Sequence, residues 1–507
     1  MTKKITSALI SVFHKTNLEP LVKLLDSQNV KLYSTGGTLS FIKDLGIEAT
    51  AVEDLTKYPS IFGGRVKTLH PSIFGGILYR RDNSQDVEQA KEFDIPAIDL
   101  VIVDLYPFEK TVADDAPEAD IIEKIDIGGI SLIRAAAKNF KDTVVVSSQS
   151  QYDELFEILE KTNGNTTIEE RKRFAAYSFA ISSHYDTAIF NYFNKTEELD
   201  YFKQSSMQST ELRYGENPHQ SARFYGHMED LLQQLNGKAL SFNNLVDIDA
   251  AMNLIAEFDD ETAFAILKHT NACGVATSEN VKDAYLKAFA ADTLSAFGGV
   301  LITNSTIDKA VAEEMNSLFF EVLIAPNYDE EALEVLKSKK NRILLKVTDS
   351  LKSNRQFKSL LNGVIEQEKD NHTDSLADLQ EVTDKKPSKE ETKALLFAAK
   401  ICKHSKSNAI IIATNGQMLA SGVGQTSRVD AVNQAIEKAE RFGFSLAGSV
   451  LASDAFFPFP DSVEIASKAG ISSYIQPGGS VKDQLSVDFC NENGLSMVFT
   501  GKRHFKH

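Results

Sequence analysis

Lys268 and His269 stand side by side where the apolar run Ala263-Phe264-Ala265-Ile266-Leu267 stops and the polar stretch Thr270-Asn271-Ala272-Cys273-Gly274 begins. A short continuous apolar run reads as a buried parallel strand, and open α/β sheets bind ligands beyond the carboxyl ends of such strands. Two basic groups desolvated together disfavour each other's charge. The histidine is thereby biased toward a neutral base, and the lysine remains the cation that steadies a developing oxyanion. The structural alternative is a lysine that snorkels and a histidine that caps the strand.

Three further clusters with chemical potential lie in the first half of the chain. Ser34-Thr35-Gly36-Gly37-Thr38 follows the apolar stretch at Val30 and has the donors of a phosphate cradle: two glycines that let backbone amides approach an anion, flanked by hydroxyls. The same residues can also serve only as a tight strand-to-helix turn. Gly63-Gly64-Arg65-Val66-Lys67-Thr68-Leu69-His70-Pro71 alternates two cations. In an extended loop both point one way, the arginine as a fork for a phosphate and the lysine as a compact charge or proton donor. Asp104-Leu105-Tyr106-Pro107-Phe108 closes a third apolar run, and Asp126-Ile127-Gly128-Gly129-Ile130 precedes a helical stretch carrying Arg134 and Lys138. Asp126 alone reads equally as a helix cap. Its convergence with Tyr106, Lys67 and Lys138 is what points to acid–base chemistry.

The elements that must position these residues alternate in the first half between apolar runs (Ala8–Phe13, Val30–Tyr33, Leu100–Val103, Val144–Val146) and helical stretches, the pattern of a parallel, Rossmann-like sheet. A polar segment from Phe193 to Thr210 reads as a boundary, with domains expected over 1–195 and 211–507 and a linker at 196–210. Fresh runs at Ala263–Leu267, Val322–Ile324, Ile343–Leu345, Ala409–Ile412 and Met497–Phe499 predict a second α/β unit. Its two subdomains are expected to be separated by an exposed polar connection near 366–391. No internal repeat at a fixed period is visible. A chain of 507 residues exceeds one core, and its formal charge of −17 argues against a general nucleic-acid or membrane-surface binder. Three widely separated cysteines, Cys273, Cys402 and Cys490, suit a reducing cytoplasm, and no signal peptide or membrane-length apolar segment is evident.

GGRVKTLHP, LYPF and IDIGGISLIRAAAKN, in that order, resemble the cyclohydrolase half of the bifunctional AICAR transformylase/IMP cyclohydrolase family of purine biosynthesis. The resemblance implies a methylglyoxal-synthase-like N-terminal domain in which Lys67, Tyr106, Asp126 and Lys138 surround FAICAR during ring closure. Ser11, Lys15, Ser34, Gly36, Gly37, Thr38, Arg65 and Thr68 would hold it. His14 and Asp104 depart from the family's usual Asp and Asn. Ring closure needs an amide nitrogen to attack a formyl carbon and the resulting oxygen to leave as water, for which orientation and one well-placed acid or base suffice.

The resemblance continues through Leu212-Arg213-Tyr214-Gly215-Glu216-Asn217-Pro218-His219-Gln220, Ser241-Phe242-Asn243-Asn244-Leu245, Lys268 to Gly274, Ser295-Ala296-Phe297-Gly298-Gly299, Ser407-Asn408-Ala409, Gly424-Gln425-Thr426-Ser427-Arg428 and Ser453 to Phe459. It implies a cytidine-deaminase-like α/β transformylase region. His269 would be the base for the 5-amino group of AICAR, and Lys268 the cation for the formyl oxyanion or leaving nitrogen. Asn408 would hold the base or formyl group, and Phe456, Pro458, Phe459 and Asp461 would shape a 10-formyltetrahydrofolate pocket. Arg213, Tyr214, Asn244, Gly298, Arg428, Arg503 and His507 match positions that bind nucleotide or line the site. Asn408 can instead satisfy backbone groups, Phe456 to Phe459 can be core aromatics, and chain ends often fray. Pro460 replaces an arginine of some relatives. A zinc deaminase would need H-x-E and P-C-x-x-C ligands; His269 is followed by Thr270 and Asn271 and no cysteines pair, so no metal is expected. The partners implied are small molecules and a second copy in a homodimer, with the chain in the cytoplasm.

Overall fold

The computed structural model describes residues 2–62 and 65–507, arranged as two compact units that meet between Gln208 and Ser209. Gly63 and Gly64, which open the cationic loop predicted over 63–71, lie outside the described residues.

In the first unit, strands β1 (Ser7–Ser11), β2 (Lys31–Ser34), β3 (Thr50–Ala51), β4 (Leu100–Val103) and β5 (Val144–Val146) form a parallel sheet in the order β3-β2-β1-β4-β5. The apolar runs are continuous because both faces are covered: Ile10, Leu32 and Ile102 enter one core, and Leu9, Val101 and Val103 enter the other. Strand order reverses at β1, so the loops after β1, β2 and β4 diverge there and leave a crevice at the carboxyl ends. A 30-residue helix, Ile168–Glu197, starts on a capping box of Thr167 and Glu170 and buries Phe174 and Ala175.

The second unit is built on one 12-stranded sheet. Its strands in chain order are β6 (Leu232–Asn236), β7 (Thr262–Lys268), β8 (Asn271–Ser278), β9 (Val300–Thr303), β10 (Val322–Ala325) and β11 (Ile343–Val347). They continue as β12 (Gln380–Glu381), β13 (Ile410–Thr414), β14 (Gln417–Gly422), β15 (Val450–Ser453), β16 (Ser473–Gln476) and β17 (Ser496–Phe499). Read inward from each edge, the halves have one topology: β6-β11-β10-β9-β7-β8 and β12-β17-β16-β15-β13-β14, meeting where β8 pairs with β14. Even the bulges correspond, between Ile266 and Leu267 in β7 and between Ile412 and Ala413 in β13. The region is therefore an internal structural duplication whose equivalent strands lie about 150 residues apart in the chain, which corrects the expectation that the sequence carries no repeat at a fixed period.

Helices Phe242–Ile255 and Lys389–Lys403 occupy equivalent places in the two halves and share one core on the same face of the sheet. The other face is covered by separate helix sets in each half. Gly274 in β8 allows the closest of these approaches, since a Cβ there would lie 1.8 Å from the carbonyl oxygen of Ala288.

Two sequence expectations need correction. Strand β7 is buried and ends at Lys268 as expected, but it is antiparallel to both neighbours, β8 and β9. A continuous apolar run reports burial on two faces, not direction. The connection near 366–391 is mostly exposed, yet it donates β12 to the sheet edge and buries Asp374 and Thr383.

Candidate functional sites

The first unit holds a cavity of about 670 Å³ at the carboxyl ends of β1, β2 and β4. Ser11, Lys15, Gly37, Thr38, Arg65, Lys67, Thr68, Tyr106 and Asp126 all line it. Gly36 and Gly37 start the helix Gly36–Asp44, whose first-turn amides lack carbonyl partners within the helix. Gly36 has φ +46°, and a Cβ there would sit 3.8 Å from the Lys67 ammonium; a Cβ on Gly37 would sit 3.9 Å from that of Lys15. The missing side chains thus bring two lysines to a helix N-terminus, an arrangement suited to a phosphate. The Lys15 ammonium donates to the carbonyls of Val12 and Phe13, and burial, reinforced by Lys67, lowers its pKa against the opposing pull of Asp104. Arg65 is exposed and ion-paired with Glu123.

The hydroxyls beside the glycines do other work. Ser34 donates to Ile10 O (2.7 Å), and Thr38 Oγ1 donates to Val12 O (2.9 Å) and accepts from Val12 N (3.1 Å). Both stitch the loop to β1, and Ser34 is fully buried rather than open to a ligand.

Asp126 stands at the N-terminus of the helix Gly128–Lys138 and accepts a hydrogen bond from Gly129 N (2.6 Å). Burial raises its pKa, although the amides of Gly129, Tyr106 and Ile130 oppose the rise. Burial also raises the pKa of Tyr106, helped by Asp126 and Asp104. Acid, phenol and Lys67 therefore share one cavity. Lys138 does not join them: it is exposed at the far end of that helix, about 15 Å along the axis from Gly128. The expected convergence of Lys138 fails because ten residues of helix rise separate it from Asp126. At the rim, the Asp104 carboxylate accepts from the amides of Phe13 and His14 and lies 2.9 Å from His14 Nδ1.

In the second unit His269 and Thr270 are the central residues of the β7–β8 hairpin, both with positive φ (52° and 64°). This is the handedness a two-residue turn needs, and it is costly for residues other than glycine. Asp247 holds the turn: its carboxylate accepts from Thr270 N (2.7 Å), and burial raises its pKa against the pull of that turn. Lys268 donates to the carbonyl of Phe297 (2.8 Å), directly before Gly298. Asn271 completes the hairpin, donating to His269 O (2.9 Å) and accepting from Lys406 N (2.9 Å).

That last bond brings in the segment leading to Asn408. Asn408 Nδ2 donates to Gln425 O, and its Oδ1 accepts from Arg428, each at 2.8 Å. Arg428 is buried, spans Asn408 and Asp454 (3.1 Å), and has its pKa lowered by burial. The Arg428 side chain is closed off by these partners, whereas Asn408 is only half-buried; together they fix the loop after β15. In that loop Phe457 is fully buried, whereas Phe456 and Phe459 are 36% and 49% exposed, Pro458 is exposed, and the Lys482 ammonium lies 4.1 Å from the centroid of the Phe459 ring. Asp461 begins the following helix, Asp461–Lys468.

Arg213 covers the Tyr214 ring (4.6 Å), and this pair is tied by backbone bonds to Leu240 and Phe242. Asn244 is buried as a helix cap, accepting from Ser241 and donating to Glu321 (3.0 Å), and so is not free to meet a nucleotide. Arg503 and His507 lie beside the Phe505 ring. The C-terminus between them is anchored rather than frayed, since Ser407 N donates to Lys506 O and His504 N to Asp454 O. Sequence reasoning missed Asp247, Asp454 and His504, whose chemistry is a matter of what folds against them. A carboxylate directly after the Ser453 strand end was the one available signal.

The family model described as AICARFT/IMPCHase bienzyme matches residues 136–438, and an MGS-like domain matches residues 17–131. The bifunctional purine biosynthesis protein PurH of Bacteroides thetaiotaomicron is 59% identical over 506 residues, covering 100% of this chain and 99% of its own. The chain belongs to the AICARFT/IMPCHase bienzyme family. The PurH protein of Aquifex aeolicus, 46% identical over 99% of this chain and 100% of its own length, gives the same full-length match. The bienzyme's N-terminal MGS-like match falls on the unit with the crevice at β1, as the sequence motifs implied.

Proposed function

We propose that the chain divides the two activities of its family between its units: the first closes FAICAR to IMP, and the second transfers the formyl group of 10-formyltetrahydrofolate to AICAR. The observation that carries the first assignment is the meeting of Lys67, Tyr106 and Asp126 in one cavity beside a helix N-terminus flanked by Lys15. The helix and lysines hold the ribotide phosphate. Asp126, with its raised pKa, exchanges a proton with the cyclising amide, while Lys67 and Tyr106 steady the oxygen that departs as water. Lys138 has no part in this within a single subunit.

In the second unit His269 takes the proton of the attacking amine and Lys268 steadies the formyl oxygen. Both stand on a hairpin joined through Asn271 to the Asn408 segment. Asn408 and Arg428 orient the exposed Phe456, Pro458 and Phe459 and the half-buried Asp461 toward the folate. Arg213, Tyr214 and Gly298, with the C-terminal Arg503 and His507, complete the nucleotide side, and no metal takes part. The chains pair as homodimers in the cytoplasm; exposed Phe297, Phe319, Phe456 and Phe459 around the transformylase residues support a covering second copy. No described helix is long and apolar enough to cross a membrane.

The test is product analysis with AICAR and 10-formyltetrahydrofolate. The full chain is expected to yield IMP. Accumulation of FAICAR with none cyclised would leave only the transformylase and would place the fault at the His14–Asp104 rim.

A further inference from the structure

The candidate transformylase residues come from both halves of the duplicated sheet. Lys268 and His269 belong to the first half and Asn408 to the second, so formyl transfer depends on how the halves are held together. A buried cluster does this a short distance from the chemistry. Glu257 follows the first-half helix Phe242–Ile255, and Lys403 and His404 end the equivalent second-half helix, Lys389–Lys403. Glu257 Oε1 accepts from the Lys403 ammonium (2.7 Å) and lies 2.8 Å from His404 Nε2, while Oε2 accepts from the Thr373 hydroxyl. The side chains of Glu257 and Lys403 are 7% and 6% exposed.

Four residues separate Lys403 from Asn408. Within that span Lys506 Nζ donates to His404 O, Lys406 N donates to Asn271 beside the hairpin turn, and Lys406 O accepts from Gly424 N. The Glu257 carboxylate is thus the fixed point from which the segment runs to Asn408, and it belongs to the half that carries His269. Its partners keep it ionised: burial opposes the charge, but His404, Lys403 and Thr373 prevail and hold its pKa at about 2. Among the described residues, none of these four side chains hydrogen-bonds to the hairpin or to the 456–461 loop.

We propose that Glu257 is a positioning residue for formyl transfer, setting Asn408 in one half against Lys268 and His269 in the other through its bridge to Lys403 and His404. The inference rests on the assignment of Asn408 to the transformylase site. Displacement of a positioning group by about an ångström costs on the order of 10²-fold in rate.

The full-length protein carrying Glu257→Gln is therefore expected to lose about 10- to 100-fold in kcat for formyl transfer, with KM for AICAR within about twofold of wild type. Cyclisation of supplied FAICAR should be unchanged. Glu257→Gln alone leaves the Lys403 ammonium buried without a counter-charge and can unfold the second unit. Glu257→Gln combined with Lys403→Met removes that charge, and this pair is expected to melt near wild type while kcat stays low. Recovery of kcat in the double variant, or a loss in the single variant that merely follows the folded fraction, would overturn the positioning role. Asn408→Ala separates the two levels: retention of formyl transfer there would remove the site assignment itself, whatever Glu257 variants do.

Discussion

Asp126→Asn should make the protein a worse cyclohydrolase and a more stable fold at neutral pH. Asparagine keeps the side-chain oxygen that accepts from Gly129 N at 2.6 Å, so the start of the helix Gly128–Lys138 retains its cap. It removes a proton-exchanging group from a site only 9% exposed. A general acid or base contributes roughly 10²- to 10⁴-fold, equivalent to about 3–5 kcal/mol of barrier. The stability sign follows from burial, which raises the Asp126 pKa in the folded state. Between the ordinary carboxylate range and that raised value the folded state binds more protons than the unfolded one, so stability is full at low pH and declines as pH rises through the folded pKa. The amide escapes that decline. FAICAR-to-IMP conversion at saturating substrate, paired with urea melts at pH 4 and pH 7.5, measures both effects. A variant that cyclises within threefold of wild type, or that melts far below it at pH 7.5, would refute the argument.

The remaining expectations concern the second unit. Phe457→Ala, emptying a fully buried site, should cost about 3–5 kcal/mol in urea unfolding. Phe459→Ala, at a half-exposed site, should cost no more than about 0.5 kcal/mol while raising KM for 10-formyltetrahydrofolate. Gly274→Ala must displace the Ala288 carbonyl and should lower stability by at least about 1–3 kcal/mol, whereas Gly363→Ala, facing open space, should be near neutral in thermal melts. Burial disfavours the His504 cation, but the carboxylates of Asp370 and Asp374 prevail and push its pKa up to about 9. The stability it adds is present in full below pH 6.5 and is lost as pH rises toward 9, so His504→Gln should flatten that part of the profile of urea midpoint against pH.

Much of this organisation was legible in the chain. The runs at Leu100–Val103 and Val144–Val146 are strands with those bounds, because burial on both faces writes itself as uninterrupted apolar residues. The loops carrying Lys67, Tyr106 and Asp126 were found from glycine, cation and turn chemistry, and they do line one cavity. What remained hidden depends on partners distant in sequence. The direction of β7 is set by the strands it pairs with, not by Ala263 to Leu267 themselves. The hydroxyls of Ser34 and Thr38 serve β1, and Asn244 caps a helix, roles invisible until their partners are placed. Lys138 was misplaced because a motif lists residues without the helix rise between them. Glu257, one acid among many, acquires a role only when helices about 150 residues apart in sequence are seen as repeats of each other.

The division of labour between the units is tested most directly by two variants of the full-length protein, each given AICAR with 10-formyltetrahydrofolate and, separately, FAICAR, with products resolved by chromatography. Lys67→Ala is predicted to form FAICAR and accumulate it. His269→Ala is predicted to leave AICAR unformylated yet convert supplied FAICAR to IMP at the wild-type rate. If either substitution abolished both reactions in a folded protein, the assignment of ring closure to the first unit and formyl transfer to the second would be contradicted.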